Sequence, residues 1–214
     1  MTKRLLLVAG NIGAGKTSLT NKLGEKLGWD TGYETIEGNP YLARFYGDMA
    51  AWSFHLQVFL LGQRAQQHLE AARGPQSHII DRSIYEDYHI FAKALRELGN
   101  ISAEDFATYE RLYQLVIPTL PRPDLLLYLK APVAALLERI QARGRDIESG
   151  ISAEYLQLLD SLYADWMDGF DLCPALAIPS GDLDFVNRPQ HLDIVIEKIE
   201  AKLAGKEDVV FPEG

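Results

Sequence analysis

The sequence predicts an α/β fold, with a central parallel sheet flanked by helices. Three observations predict it. Short apolar runs alternate along the chain with longer segments of helical periodicity. The first apolar run feeds directly into a glycine-rich loop, and the loop into a helical segment. A later run, "HII", ends on Asp81-Arg82, a charged pair at the edge where open parallel sheets bind their ligands.

The elements follow in order. Residues 5–9 form the first strand, and "KTSLTNKLGEKLG", starting at Lys16, the first helix. A second strand ends near Glu34. Residues 48–73 form one long helix, with Trp52, Leu56, Phe59, Leu60 and Gln63 at helical spacing. Further strands lie at 78–80, 125–129 and 175–178. Further helices lie at 84–95, 133–143, 153–170 and 189–203, and those at 84–95 and 153–166 are expected to expose apolar faces. No repeat, low-complexity tract or linker interrupts the pattern, so residues 1–214 are expected to form a single domain, with "KEDVVFPEG" as a frayed end.

Composition narrows the function. Hydrophobic residues make up 47% of the 214 and charged residues 24%, an ordinary globular balance. With Lys+Arg 21 against Asp+Glu 30, the net charge is -9. So acidic a surface repels nucleic-acid polymers and anionic membranes, although a local basic pocket can still take a small anion. The single cysteine, Cys173 in "FDLCPAL", can form no intrachain disulfide; this suits a reducing compartment, and the residue reads as a small buried hydrophobe. The start "MTKRLLLVAG" is too short for a signal peptide, and no apolar stretch reaches the ~18 residues of a membrane span. A cytoplasmic protein is expected, with neither membrane nor nucleic acid as partner.

Gly10, Asn11, Ile12, Gly13, Ala14, Gly15, Lys16 and Thr17 spell G-x-x-x-x-G-K-[ST], with Ser18 next on the helix. Glycines let successive backbone N–H groups converge on one anion, and the helix N-terminus adds roughly half a positive charge. Lys16 can reach β- and γ-phosphates, and the Thr17 hydroxyl can ligate Mg²⁺. A nucleoside triphosphate is therefore expected as donor, namely ATP. Asp81 is placed to hold Mg²⁺ with Thr17, and Arg82 to steady an oxygen of the acceptor or of the transferring phosphoryl group. Regulatory GTPases carry N-K-x-D and D-x-x-G motifs; "NKLG" at 21–24 lacks the aspartate, which argues against a switch.

Three segments together, "GNIGAGKT", "DRSIYED" and "RGRDIESGISAEYL", resemble the deoxyribonucleoside kinases. "ETIEGNPYLARFYGDMAAWSFHLQ" is similar to their bacterial deoxyadenosine/deoxycytidine and deoxyguanosine kinase members, with "DRS" and "WSFHLQ" leaning toward the former. The resemblance runs from the first strand to about Phe185. It implies a P-loop kinase with an arginine-bearing lid at about residues 143–151, a homodimer, and transfer from ATP to a deoxynucleoside 5′-hydroxyl.

The resemblance also implies roles for individual residues. Glu34 is the general base for the 5′-hydroxyl, with Glu37 as a competing candidate; Thr35 stands where relatives have proline. A positioned carboxylate suits an alcohol nucleophile, contributing typically 10²–10⁴-fold. Tyr46 and Glu148 bind the sugar 3′-hydroxyl. Gln57, Arg64 and Asp87 read the base, and Trp52, Phe59 and Phe91 are candidates to wall it. Arg139, Arg143 and Arg145 belong to the lid and grip phosphates, Arg143 with a catalytic role. Relatives often carry two acidic residues after "RGR"; here Ile147 replaces the first. Asp184 and Phe185 in "SGDLDFVN" contact the donor base. Alternatives left open are a deoxyguanosine kinase, a nucleoside monophosphate kinase and a non-catalytic nucleotide-binding regulator. Against the second, an already anionic acceptor needs no carboxylate base.

Overall fold

Five strands, β1 (Leu5–Gly10), β2 (Asp30–Gly32), β3 (His78–Asp81), β4 (Leu125–Lys130) and β5 (Ala175–Pro179), pair in parallel in the order β2-β3-β1-β4-β5. The structure is a computed structural model that describes residues 2–33, 38–145, 150–181, 183–185 and 188–205. Helices α1 (Lys16–Leu27), α2 (Leu42–Gly47), α3 (Met49–Arg73), α4 (Ile84–Glu86), α5 (Lys93–Glu97), α6 (Ala103–Val116), α7 (Val133–Arg143), α8 (Ala153–Asp168) and α9 (Pro189–Leu203) surround the sheet. A π-helical turn, Asp87–Ala92, joins α4 to α5.

β1 is buried along its whole length, and β4 up to Leu129, because helices cover both faces of the sheet. Alternate residues of β1 enter two cores. Leu5, Leu7 and Ala9 pack with Tyr109 and Tyr113 of α6 and Leu159, Tyr163 and Trp166 of α8. Leu6 and Val8 pack with Leu19 and Leu23 of α1, Leu136 and Ile140 of α7, and Val195 and Ile199 of α9. The period-2 alternation of strand side chains thus divides the core by face.

Helix starts follow capping chemistry. Asp48, Ser102 and Ser152 each accept from a backbone N–H three residues on, starting α3, α6 and α8. The sequence pattern places α7 and α9 correctly, but α8 stops at Asp168, where Gly169 caps it, and not at residue 170. The segment expected as one helix from 84 to 95 changes pitch at Asp87. Nor do it and α8 expose apolar faces: Ile84, Tyr85, Tyr88 and Ile90, like Leu156, Leu159, Leu162 and Trp166, lie buried within the chain. Large exposed apolar side chains sit elsewhere, notably Leu112 and Leu115 on α6. Burial pushes the Cys173 thiol up to about 12, leaving it a poor nucleophile. Among the described residues, no helix is long and apolar enough to cross a membrane.

Candidate active site

The strands deliver their C-terminal ends to one edge. Val8 pairs with Asp81, so the end of β1 and the end of β3 stand side by side there. The glycine loop leaves β1 at this edge and is gripped from three directions. At Gly13, with φ +83°, a Cβ would lie 2.9 Å from the Leu136 carbonyl and 3.1 Å from Ile140 Cγ1, so α7 rests directly on the loop. At Gly15, with φ +97°, a Cβ would meet Phe185 Cζ at 3.3 Å. Both positions need glycine, for backbone conformation and for this close approach. Asn11 makes the third tie: its Nδ2 donates to Leu156 O of α8 at 3.0 Å, while its Oδ1 accepts from Ile12 N at 2.8 Å.

Lys16 is nearly buried and donates from Nζ to Gly10 O at 2.6 Å and Asn11 O at 3.0 Å. Its charge therefore lies on the loop backbone. Thr17 Oγ1 donates to Asp81 Oδ2 at 2.5 Å. A hydroxyl and a carboxylate in contact beside a phosphate loop are the hard oxygen donors that Mg²⁺ prefers, so this pair fits the metal the sequence implies.

Arg82 follows with φ +68°, the one non-glycine residue at positive φ among the described residues. Such a conformation costs on the order of 1 kcal/mol or more and persists where the surroundings over-determine it. Here Arg82 N donates to Val8 O at 3.1 Å, and the guanidinium carbon stands 4.1 Å from the centre of the Phe91 ring. The π-helical turn supplies both Asp87 and Phe91. π-helical turns recur at functional sites because they re-aim side chains.

α3 buries a polar stripe: Ser53, Gln57, Arg64 and His68 lie on its covered face with Leu56, Leu60 and Leu61. Polar side chains enter an interior only with a reason. Arg64 Nε donates to Asp87 Oδ2 at 3.1 Å, with the two side chains 1% and 3% exposed. Gln57 Oε1 is buried with no partner among the described residues. Trp52 and Phe59 are half-buried on the same helix, and both rings pack near Tyr41.

The profile of the deoxynucleoside kinase family matches residues 6–204. The chain belongs to that family. It is 36% identical over 197 residues to the deoxyadenosine/deoxycytidine kinase of Bacillus subtilis, an alignment covering 91% of each chain. It is 35% identical over 164 residues to the deoxyguanosine kinase of the same organism, covering 76% of this chain and 77% of that one. The deoxyadenosine kinase of M. mycoides, in a structure with dCMP and dCDP bound, superposes with a TM-score of 0.80 at 27% identity, over 92% of this chain and 99% of that one.

In this kinase, Lys16, Thr17, Asp81 and Arg82 gather at one sheet edge, and Gln57, Arg64 and Asp87 at the adjoining α3 face. Tyr46 is 46% exposed on α2, its ring edge-on to Phe45. Arg139 is engaged by Ser180 O at 2.6 Å, tying α7 to the end of β5; Arg143 and Arg145 are exposed where α7 ends. Phe185 is 5% exposed and supports the loop from beneath, and Asp184 N donates to His191 Nδ1 at 3.0 Å. Glu34, Glu37, Thr35, Ile147 and Glu148 lie outside the described residues, as does the middle of the expected lid.

Three residues near the site carry roles that sequence reasoning missed. Gln67 Nε2 donates to Tyr33 O at 2.9 Å and its Oε1 accepts from Arg64 at 3.4 Å, anchoring the chain just before Glu34. The Tyr155 phenol, pushed up to about 12 by burial, feels both Arg82 and Tyr46. Glu86 is fully buried, and burial raises its pKa against the lowering influence of Arg82 and Lys16. The signal for Glu86 was present: Ser83-x-x-Glu86 is a capping box, with Ser83 Oγ accepting from Glu86 N and the Glu86 carboxyl accepting from Ser83 N.

Proposed function

We propose that this deoxynucleoside kinase transfers the γ-phosphoryl group of ATP to the 5′-hydroxyl of deoxyadenosine, deoxycytidine or both. The observation that carries the nucleoside reading is the buried, unpartnered Gln57 Oε1 on the same helix face as the Arg64–Asp87 pair. A buried acceptor without a donor costs about 1–3 kcal/mol. The exocyclic amine of adenine or cytosine would supply that donor, and the adjacent ring nitrogen would accept from Gln57 Nε2. Guanine, which presents a carbonyl oxygen and a ring N–H there, is met by the same amide with its oxygen and nitrogen exchanged. The names of the relatives that act on deoxyadenosine and deoxycytidine support the choice of those two.

In this proposal Lys16 leaves the loop carbonyls for the β- and γ-phosphates, which the loop amides of Gly10–Ser18 also receive. Glu34 accepts the proton of the 5′-hydroxyl, converting a poor nucleophile into a competent one. Arg82 steadies the attacking oxygen, and Tyr46 and Glu148 take the 3′-hydroxyl. Arg139, Arg143 and Arg145 come from α7, the helix that rests on Gly13, and meet the charge moving onto the leaving group. Asp184 and Phe185 flank the donor base. Thr17 and Asp81 would hold Mg²⁺, which supplies charge neutralisation on the phosphates when bound. A cytoplasmic homodimer is the assembly this proposal includes.

ADP release measured across deoxyadenosine, deoxycytidine, deoxyguanosine and the matching monophosphates tests the proposal. Turnover is expected with deoxyadenosine or deoxycytidine; turnover only with monophosphates would refute it. Glu34→Gln should lose about 10²-fold or more in kcat with nucleoside affinity retained.

A further inference from the structure

The carboxyl group of Glu86 ties the neighbouring ends of β1 and β3 to each other and to α8. Its Oε1 accepts from Gly10 N at 3.2 Å, at the end of β1 where the phosphate loop begins. Its Oε2 accepts from Ser83 N at 3.0 Å, the residue that follows the strained Arg82. The Tyr163 hydroxyl of α8 lies 2.6 Å from Oε1 and 2.8 Å from Gly10 O, and Gly10 O also receives Lys16 Nζ. Every bond in this knot is buried. We propose that Glu86 is a positioning residue, holding the phosphate loop and Arg82 in one fixed relation through Gly10, Ser83 and Tyr163.

The Tyr163 phenol donates to Glu86 Oε1 and stands within reach of Gly10 O as well, so one side chain of α8 closes the ring between the carboxyl group and the loop. Oε2 takes the Ser83 N–H. The charged and titratable groups that influence the carboxyl are Lys16 from α1, Arg82 from the end of β3, Tyr163 from α8 and Tyr128 from β4. Complete burial raises the carboxyl pKa against the lowering influence of the two cations and of the hydrogen bonds from Tyr163 and Gly10 N.

The arrangement matters for transfer because the loop grips the donor and Arg82 faces the acceptor. An error of about 1 Å between two such groups can cost roughly 10²-fold in rate. Glu86 fixes both ends through one planar group. This role rests on the kinase reading for its purpose, but its geometry concerns the loop itself and can be tested by binding alone.

The experiment uses the full chain carrying Glu86→Leu, Glu86→Gln or Tyr163→Phe. Affinity for ATP without acceptor, and for deoxyadenosine without donor, is measured by titration calorimetry, beside circular dichroism. Glu86→Leu and Tyr163→Phe are expected to fold and to weaken ATP binding about tenfold. Deoxyadenosine, held mainly at Gln57, Arg64 and Asp87, should shift less than about twofold. Glu86→Gln, which keeps the planar group and one carbonyl oxygen for these donors, should recover part of the ATP affinity lost in Glu86→Leu. Should Glu86→Leu fail to fold, Tyr163→Phe gives the same ATP-against-nucleoside comparison. Unchanged ATP affinity in Tyr163→Phe, equal losses for both ligands, or a Glu86→Gln variant as impaired as Glu86→Leu would each overturn the proposal. A wild-type protein that binds ATP but does not phosphorylate deoxynucleosides would sink the substrate reading and leave the Glu86 comparison intact.

Discussion

Thr17 and Asp81 come from different elements, 64 residues apart, and are in hydrogen-bond contact at 2.5 Å. The contact exists because β1 and β3 are neighbours in the sheet, so the helix that follows β1 starts beside the end of β3. Thr17 is exposed and Asp81 buried, which leaves the threonine side open to a metal. Thr17→Ala and Asp81→Asn are each expected to raise the Mg²⁺ concentration needed for half-maximal turnover by about tenfold or more. Thermal stability of Thr17→Ala should fall by about 1 kcal/mol, because buried Asp81 loses a hydrogen-bond donor. A Mg²⁺ titration of ADP release reads both. An unchanged midpoint in Asp81→Asn would remove that residue from the metal site.

The Arg64–Asp87 pair separates stability from function. Both side chains are almost wholly buried, so removing one partner strands a charge in the interior. Asp87→Leu alone should cost about 3–5 kcal/mol in chemical denaturation. The double variant Arg64→Met/Asp87→Leu should recover much of that, because apolar pairs of similar volume replace buried ion pairs at little cost. Turnover should stay at least about 10²-fold down in both, since neither retains the full set of Gln57, Arg64 and Asp87 assigned to the base. A double variant with normal kinetics would show the pair to be structural only.

Legibility in the sequence depended on the range of the interaction. The phosphate loop was readable because its function is written in consecutive residues, and glycine, lysine and threonine each answer a local demand. β1 and β4 were readable because strands covered on both faces must be apolar throughout. The burial of Gln57 and the Arg64–Asp87 pair were to be expected only through resemblance: nothing local separates Gln57 from any solvated glutamine on a long helix. Glu86 escaped because its partners lie 76 and 77 residues away, at Gly10 and Tyr163, and a charged residue in "DRSIYED" looks solvated. α6 escaped for a different reason. Its buried face is two tyrosines amid polar neighbours, a weak apolar stripe that becomes a core face once it meets Tyr88 and the rest of the core. The pitch change at Asp87 also has no sequence signature, since helix propensity alone does not report where one extra residue is accommodated.

Arg82 stores backbone strain at the end of β3. At φ +68° glycine is comfortable and alanine is not. Arg82→Gly should therefore be more stable than Arg82→Ala by about 1 kcal/mol, an inversion of the usual order. Both lose the cation over Phe91 and both should lose turnover, by a similar factor. Differential scanning calorimetry of the two variants reads the first statement and steady-state kinetics the second. If alanine proved the more stable, the positive φ would not be a constraint in solution.

His89 sets a pH limit on the fold. Its ring stacks on Trp166 at 5.7 Å with an interplanar angle of 16°, edge-on to Tyr88 and Tyr113. Burial, with Lys93 adding to it, lowers its pKa from 6.5 to about 4. The ring is neutral in both folded and unfolded chains well above 6.5, so it affects nothing there. As pH falls below 6.5 the unfolded chain takes up the proton first, and stability is lost until the folded ring also titrates near 4. At about pH 5 the loss from this residue should be at most about 2 kcal/mol relative to neutral pH. Buried His68 and half-buried His78 are lowered as well and act in the same direction. Glu86, raised by burial, acts in the opposite one. His89→Phe keeps the stack and removes the titration, so the difference between variant and wild type isolates this ring. Urea denaturation at about pH 7 and about pH 5 should show a smaller drop for His89→Phe than for wild type. Equal drops would mean that the ring titrates normally and is not buried as described.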